Sequence, residues 1–192
     1  MINIKYLLTA MSITLLVVSC QNGLSEADKG EYLERGKKIA AATAENMLAE
    51  VGKNMKEGGV AQAVPFCNIH ADGLTTELAE QNGVSIKRTS HLLRNEKNAP
   101  TTHEQEIIAQ FQKLQAEKQE LSPVVEQNED GTVQFYMPIK VAQKCTVCHG
   151  VLGETLTQAH DSIIKSIYPK DQAIGFREGD LRGIWSIQFP KK

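Results

Sequence analysis

Across residues 31–56 apolar side chains return at helical spacing, with Ile39, Ala42, Met47, Leu48, Val51 and Met55 on one face and lysines and glutamates elsewhere. The pattern predicts a helix of about seven turns, stopped by Gly58-Gly59. A second stripe follows at Val60, Val64, Cys67, Ala71, Leu74 and Leu78, and Asn82-Gly83 closes it. This stripe turns the Cys67 thiol inward. Pro65 lies inside the run, which predicts a kink, or a helix that starts there with the proline at its first position. His70 falls beside the stripe, so it reads as a surface imidazole near a pocket rim, with a ligand role as the alternative.

Residues 84–90 alternate as a strand does, and the turn-forming stretch 92–100 follows. Thr101 or Thr102 can cap the next helix, with Glu104 and Glu106 in its first turn. Its buried side is Ile107, Ile108, Phe111 and Leu114, and it should end near Leu121, before Ser122-Pro123. Residues 124–127 and 132–141 flank Asn128-Glu129-Asp130-Gly131, a hairpin signal. A helix is expected over 155–167, closed by Tyr168-Pro169, and a half-buried strand over 183–189. Three or four helices with a small antiparallel sheet make an α+β domain.

Length and charge narrow the picture. A chain of 192 residues fits one domain, and its net charge of -2 comes from interspersed groups, which argues against nucleic acid or an anionic membrane surface as partner. The N-terminal segment reads as an export signal: Lys5 precedes an apolar run over 6–18 that is too short to span a membrane. The run ends in Val17-Val18-Ser19-Cys20, which resembles the bacterial lipobox, with an ordinary signal peptide and an incidental cysteine as the alternative. The organisation expected is a lipoprotein signal over 1–19, a tether over 20–30 anchored through lipid on Cys20, and one domain over 31–192. Acyl chains on Cys20 would hold the protein at the membrane. That places it in a bacterial cell envelope on the periplasmic side, and Gln21 leans toward the outer membrane if the host has two.

The most specific short motif is Cys145-Thr146-Val147-Cys148-His149, the attachment signature for c-type haem. Two intervening residues let both sulfurs reach the two vinyl groups on one edge of the macrocycle, while His149 lands beneath the iron. A redox dithiol is a weaker reading, because no buried parallel strand in a βαβ setting precedes Cys145. Zinc is the other alternative, with Cys67, His70, Cys145 and Cys148 as a ligand set. In an oxidising compartment Cys67 is left without a thiol partner once Cys20, Cys145 and Cys148 are assigned, so it is either buried or held by the iron.

Several stretches together extend the haem reading. They are Val64-Pro65-Phe66-Cys67, Arg88-Thr89-Ser90, Arg94-Asn95 with Asn98-Ala99-Pro100, residues 145–150, and Tyr168-Pro169 through the run 175–183. In order and spacing the chain from about Glu31 onward resembles the bacterial periplasmic Tll-type c-type haem-binding domain family. The resemblance implies a PAS-like fold, one covalent haem c, His149 as proximal ligand and Cys67 as distal ligand. His70 departs from that pattern and is the alternative axial ligand. Met137 is better explained by core packing than by ligation. Haem propionates need cationic partners, for which Arg94, Arg88, and Arg177 or Arg182 are the candidates. With both axial positions filled, the expected function is one-electron transfer or sensing of redox state or small gases, through a separate redox partner protein. Enzymatic turnover is the less favoured use. A structural zinc domain and a peroxidase-type haem enzyme, with His70 as its acid-base residue, are the alternatives.

Overall fold

The computed structural model describes residues 23–191, so the signal expected over 1–19 and the lipid attachment expected at Cys20 lie outside the described residues. It is an α+β, PAS-like domain: long N-terminal helices pack on a four-stranded antiparallel sheet of order β1-β4-β3-β2. The elements in chain order are α1 (Glu26–Asn82), β1 (Ser85–Thr89), α2 (Thr102–Ala116), β2 (Val124–Gln127), β3 (Val133–Lys140), α3 (Thr146–His149), α4 (Gln158–Ile167) and β4 (Leu181–Phe189).

The first helix starts earlier than periodicity suggested. Ser25 Oγ accepts the Asp28 N–H at 3.1 Å, and Leu24 packs against the core. Residues 26–30, expected as tether, are therefore the first turn of α1. Gly58 and Gly59 break α1 where the second stripe begins, and Gly59 (φ 65°, ψ -154°) takes a conformation that side chains rarely allow. The helix then runs through Pro65, which lies inside it and does not start it. After the break the chain folds back on itself. Gln62 Nε2 donates to Asn54 Oδ1 at 3.2 Å and to Glu57 Oε2 at 2.8 Å, and Met47 and Ala71 share one core cluster.

β4 is not the half-buried strand its alternation suggested. It lies inside the sheet, and helices cover both faces. Trp185, Ile187 and Phe189 pack against α1, while Leu181 and Ile184 pack against Ile107, Ile108 and Phe111 of α2. Helix α2 carries a reciprocal capping box between Thr101 and Glu104. It ends at Ala116 instead of near Leu121, because the chain leaves the helix through Lys118 (φ 56°) and drops Leu121 into the α2 cluster. Helix α4 starts at Gln158 instead of Thr155. Thr157 caps it, and the preceding turn buries Leu156 completely (0% exposed). A third cluster of Val60, Val64, Leu156, Ile164 and Tyr168, with Val147 and Cys148 at its margin, fixes α4 and the cysteine motif against the second half of α1.

One ionic contact between α2 and β2 has a pH signature. His103 meets Glu126 at 2.6 Å and Glu106 at 3.0 Å, and its ring lies edge-on to Tyr136. Hydrogen bonding to Glu126 and then to Glu106 raises its pKa above the ordinary 6.5. A raised folded-state pKa contributes stability that is fully present below the unfolded value and lost as pH rises through the folded one. Comparing thermal midpoints of wild type and His103→Ala should show a gap near about pH 5.5 that closes by about pH 8.5. A gap that is constant or widens with pH would contradict the contact.

Candidate functional site

Strand β3 delivers the chain to the cysteine motif. Val141 is pinned to the C-terminal loop by its N–H to Asp180 O and by Gly179 N–H to its own carbonyl, both at 2.8 Å. A single 3-10 turn (Gln143–Cys145) then runs into α3, tied by Thr146 Oγ1 donating to Gln143 O at 2.7 Å. Helical spacing sets Cys145, Cys148 and His149 on one side of this turn. Both thiols are half-buried and free.

The segment after α4 runs alongside the motif. Gly175 N–H donates to Gly150 O at 2.8 Å, and Phe176 N–H donates to His149 O at 3.0 Å. The His149 Nδ1 lies 2.7 Å from Ala173 O. A carbonyl only accepts, so Nδ1 carries the proton and Nε2 keeps its lone pair free for a metal. Burial first, then Arg94 and Arg182, hold the His149 pKa well below 6.5, so the ring is neutral at ordinary pH. Phe176 stands edge-on to His149, with ring centroids 6.5 Å apart.

Three arginines converge here, in three different situations. Arg94 donates from Nε and Nη2 to Asp171 (3.1 and 3.2 Å), and from Nη2 also to Cys148 O (2.5 Å) and Ala173 O (3.3 Å). Arg182 donates to Ser90 Oγ (2.8 Å) and Leu92 O (3.0 Å), and burial lowers its pKa to about 10. Arg88 lies over the Trp185 ring at 5.7 Å, and among the described residues it donates to no protein acceptor. Burial lowers its pKa, while Cys67, Asp72 and Tyr168 pull the other way. Facing it, the Cys67 thiol is pushed up by burial and drawn down by Arg88 and Arg94. The Tyr168 hydroxyl, beside Cys67, is pushed up to about 12, chiefly by burial.

The cluster thus brings together Cys67, Cys148, His149, Arg88, Arg94 and Arg182. Arg177 lies outside it, exposed and paired with Glu154 at 2.8 and 3.1 Å. His70 is exposed and stacks on Phe66 with centroids 5.0 Å apart. Met137 packs against the α1 cluster, opposite Trp185. Among the described residues no three His, Cys, Asp or Glu side chains are gathered to hold a metal ion, so the zinc set with His70 is not assembled. Sequence reasoning missed Asp171, Tyr168 and the Ala173 carbonyl. Asp171 had one available signal, an arginine in the Arg94 loop that would need a buried counter-charge. The donors present fit a haem held at its edge: two free thiols, an imidazole with Nε2 free, and a sulfur in Cys67 close enough to interact with Cys148.

The crystal structure of the cyanobacterial heme-protein Tll0287 matches this fold with a TM-score of 0.62, at 24% identity, over 84% of this chain and 96% of that one. At that identity the likeness speaks for the fold. No curated protein matches the chain. A family model described as Tll0287-like matches residues 27–190, beginning within one residue of α1. The chain belongs to the Tll0287-like family.

Proposed function

We infer that the protein is a c-type haem protein of the bacterial cell envelope, lipid-anchored through Cys20, that works by one-electron transfer or by sensing redox state or small gases. The observation that carries this reading is the His149 imidazole, whose Nδ1 proton is fixed on Ala173 O, leaving Nε2 free directly after two unpaired thiols. When bound, the haem iron supplies one-electron chemistry. Cys145 and Cys148 would hold the group by thioether bonds, and His149 Nε2 would ligate its iron. Cys67 would supply a second ligand through Sγ. His70, the alternative, is less well supported because it is exposed and stacked on Phe66. Of the propionate candidates, Arg88 is the best supported, since its guanidinium has no protein acceptor among the described residues, whereas Arg94 and Arg182 are bonded to the scaffold and Arg177 to Glu154.

Burial favours the neutral Cys67 thiol, so the thiolate depends on positive charge beside it. A smaller positive charge beside Sγ, as a ferrous instead of a ferric haem would present, would favour the neutral Cys67 thiol, its proton drawn from water. That behaviour suits a sensor more than a carrier, and the response would pass to a separate redox partner protein.

Production of the full chain with c-type haem maturation machinery tests the reading. Wild type should retain haem through denaturing electrophoresis, and Cys145→Ser/Cys148→Ser should lose all of it. A colourless wild type that binds zinc would overturn the proposal.

A further inference from the structure

We propose that Arg94 is the positioning residue of the His149 imidazole, setting both its orientation and its hydrogen-bond strength through the shared carbonyl of Ala173. The inference rests on His149 being the iron ligand. Ala173 O accepts from His149 Nδ1 at 2.7 Å and from Arg94 Nη2 at 3.3 Å. The same nitrogen donates to Cys148 O, so one guanidinium touches the motif on one side and the imidazole's acceptor on the other. Asp171 closes the circuit. Its carboxylate receives Arg94 and also the Ala173 N–H at 2.9 Å, and its side chain is fully buried (0% exposed). Gln172 N–H to Leu93 O at 2.8 Å sews the two loops together beside it.

Two consequences follow. A carbonyl bonded to a cation pulls less on the Nδ1 proton, which keeps the ring an ordinary neutral imidazole instead of an imidazolate-like donor. The ring plane is also fixed relative to the cysteines, because its acceptor and Cys148 O are held by the same rigid fork. Arg182 provides the control. It lies in electrostatic reach of the same imidazole, yet its hydrogen bonds go to Ser90 and Leu92 and not to Ala173.

The test uses the haem-loaded full chain with Arg94→Gln, Arg94→Lys and Arg182→Gln, read by redox titration and by the g-value spread of the ferric electron paramagnetic resonance spectrum. Arg94→Gln should change the g-values and raise the oxidised-to-reduced ratio at fixed potential about tenfold, about 59 mV for a one-electron couple. Arg94→Lys keeps the charge beside Asp171 but cannot span three acceptors, so it should fold and still change the g-values. Arg182→Gln should lower the potential with wild-type g-values. If Arg94→Gln fails to fold, Arg94→Lys decides. Wild-type g-values in the Arg94 variants that fold would overturn the proposal. If the chain takes up no haem, the haem reading fails by itself. Nitrogen chemical shifts of His149 in the isolated chain then decide the positioning: a single Nδ1–H tautomer in wild type and a mixture in Arg94→Lys support it, and the same tautomer state in both overturns it.

Discussion

The Cys67→Ala protein is expected to keep its covalent haem and lose its sixth ligand. On the proposed reading the attachment chemistry lies in Cys145, at the end of the 3-10 turn, and Cys148 on α3, whereas Cys67 projects from the second half of α1 across the site, so the two functions separate. Alanine is accepted at a half-buried helical position without breaking α1. The ferric spectrum should change from a six-coordinate thiolate form to one with water or nothing on the distal side. Because a thiolate favours the ferric state, the potential should rise, and the oxidised-to-reduced ratio should fall at least tenfold at fixed potential. Carbon monoxide should bind the reduced variant without the delay that displacing a ligand imposes. Arg88 gives the same experiment a second arm: with its guanidinium replaced in Arg88→Met, the Cys67 sulfur loses the cation that draws its pKa down, and the thiolate form should weaken. An unchanged ferric spectrum in Cys67→Ala would remove Cys67 from the iron and return attention to His70 or Met137.

The parts of this arrangement that were legible in sequence are those written in local order. The stripe through Val60, Val64, Cys67 and Ala71 turned Cys67 inward because helical period alone decides it, and three of those positions are buried, with Cys67 half-buried. Thr101 and Glu104 announced a helix start, and the glycine pair at 58–59 announced a break, since each acts on its immediate neighbours. The parts that were not legible depend on distant partners. Arg94 read as a cation for a propionate, but its hydrogen bonds run to Asp171 and Ala173, which lie 77 and 79 residues away in the chain. The acceptor that orients His149 is a main-chain oxygen, and any residue at position 173 would supply one. β4 read as half-buried because alternation reports one covered face, and only the strand order shows a helix over each face. The start of α1 was missed because Ser25 is a cap with no apolar stripe immediately after it.

The contact that sets the spacing of α1 from the sheet should respond to substitution non-additively. Phe135 is fully buried in β3 (0% exposed), and its ring occupies the place a Cβ on Gly36 would take. Phe135→Ala removes a core aromatic and leaves a cavity, with an expected cost of about 3–5 kcal/mol. Gly36→Val forces a branched side chain against the ring and pushes α1 outward, a cost of about 1–3 kcal/mol from overpacking, partly offset by the gain over glycine in a helix. In the double variant the valine enters the space the ring vacated. Its cost should therefore fall below the sum of the singles by about 0.5–3 kcal/mol, the range for residues in direct contact. Urea unfolding midpoints of the four proteins measure this, and strict additivity would mean that Gly36 and Phe135 do not face each other. The outward shift in Gly36→Val should also reach the site. The two halves of α1 share the cluster containing Met47, Ala71 and Trp185, Trp185 stacks under Arg88, and Arg88 faces Cys67. Moving α1 away from β3 therefore draws Cys67 away from His149, and the single variant should show a weakened thiolate spectrum that the added Phe135→Ala change restores.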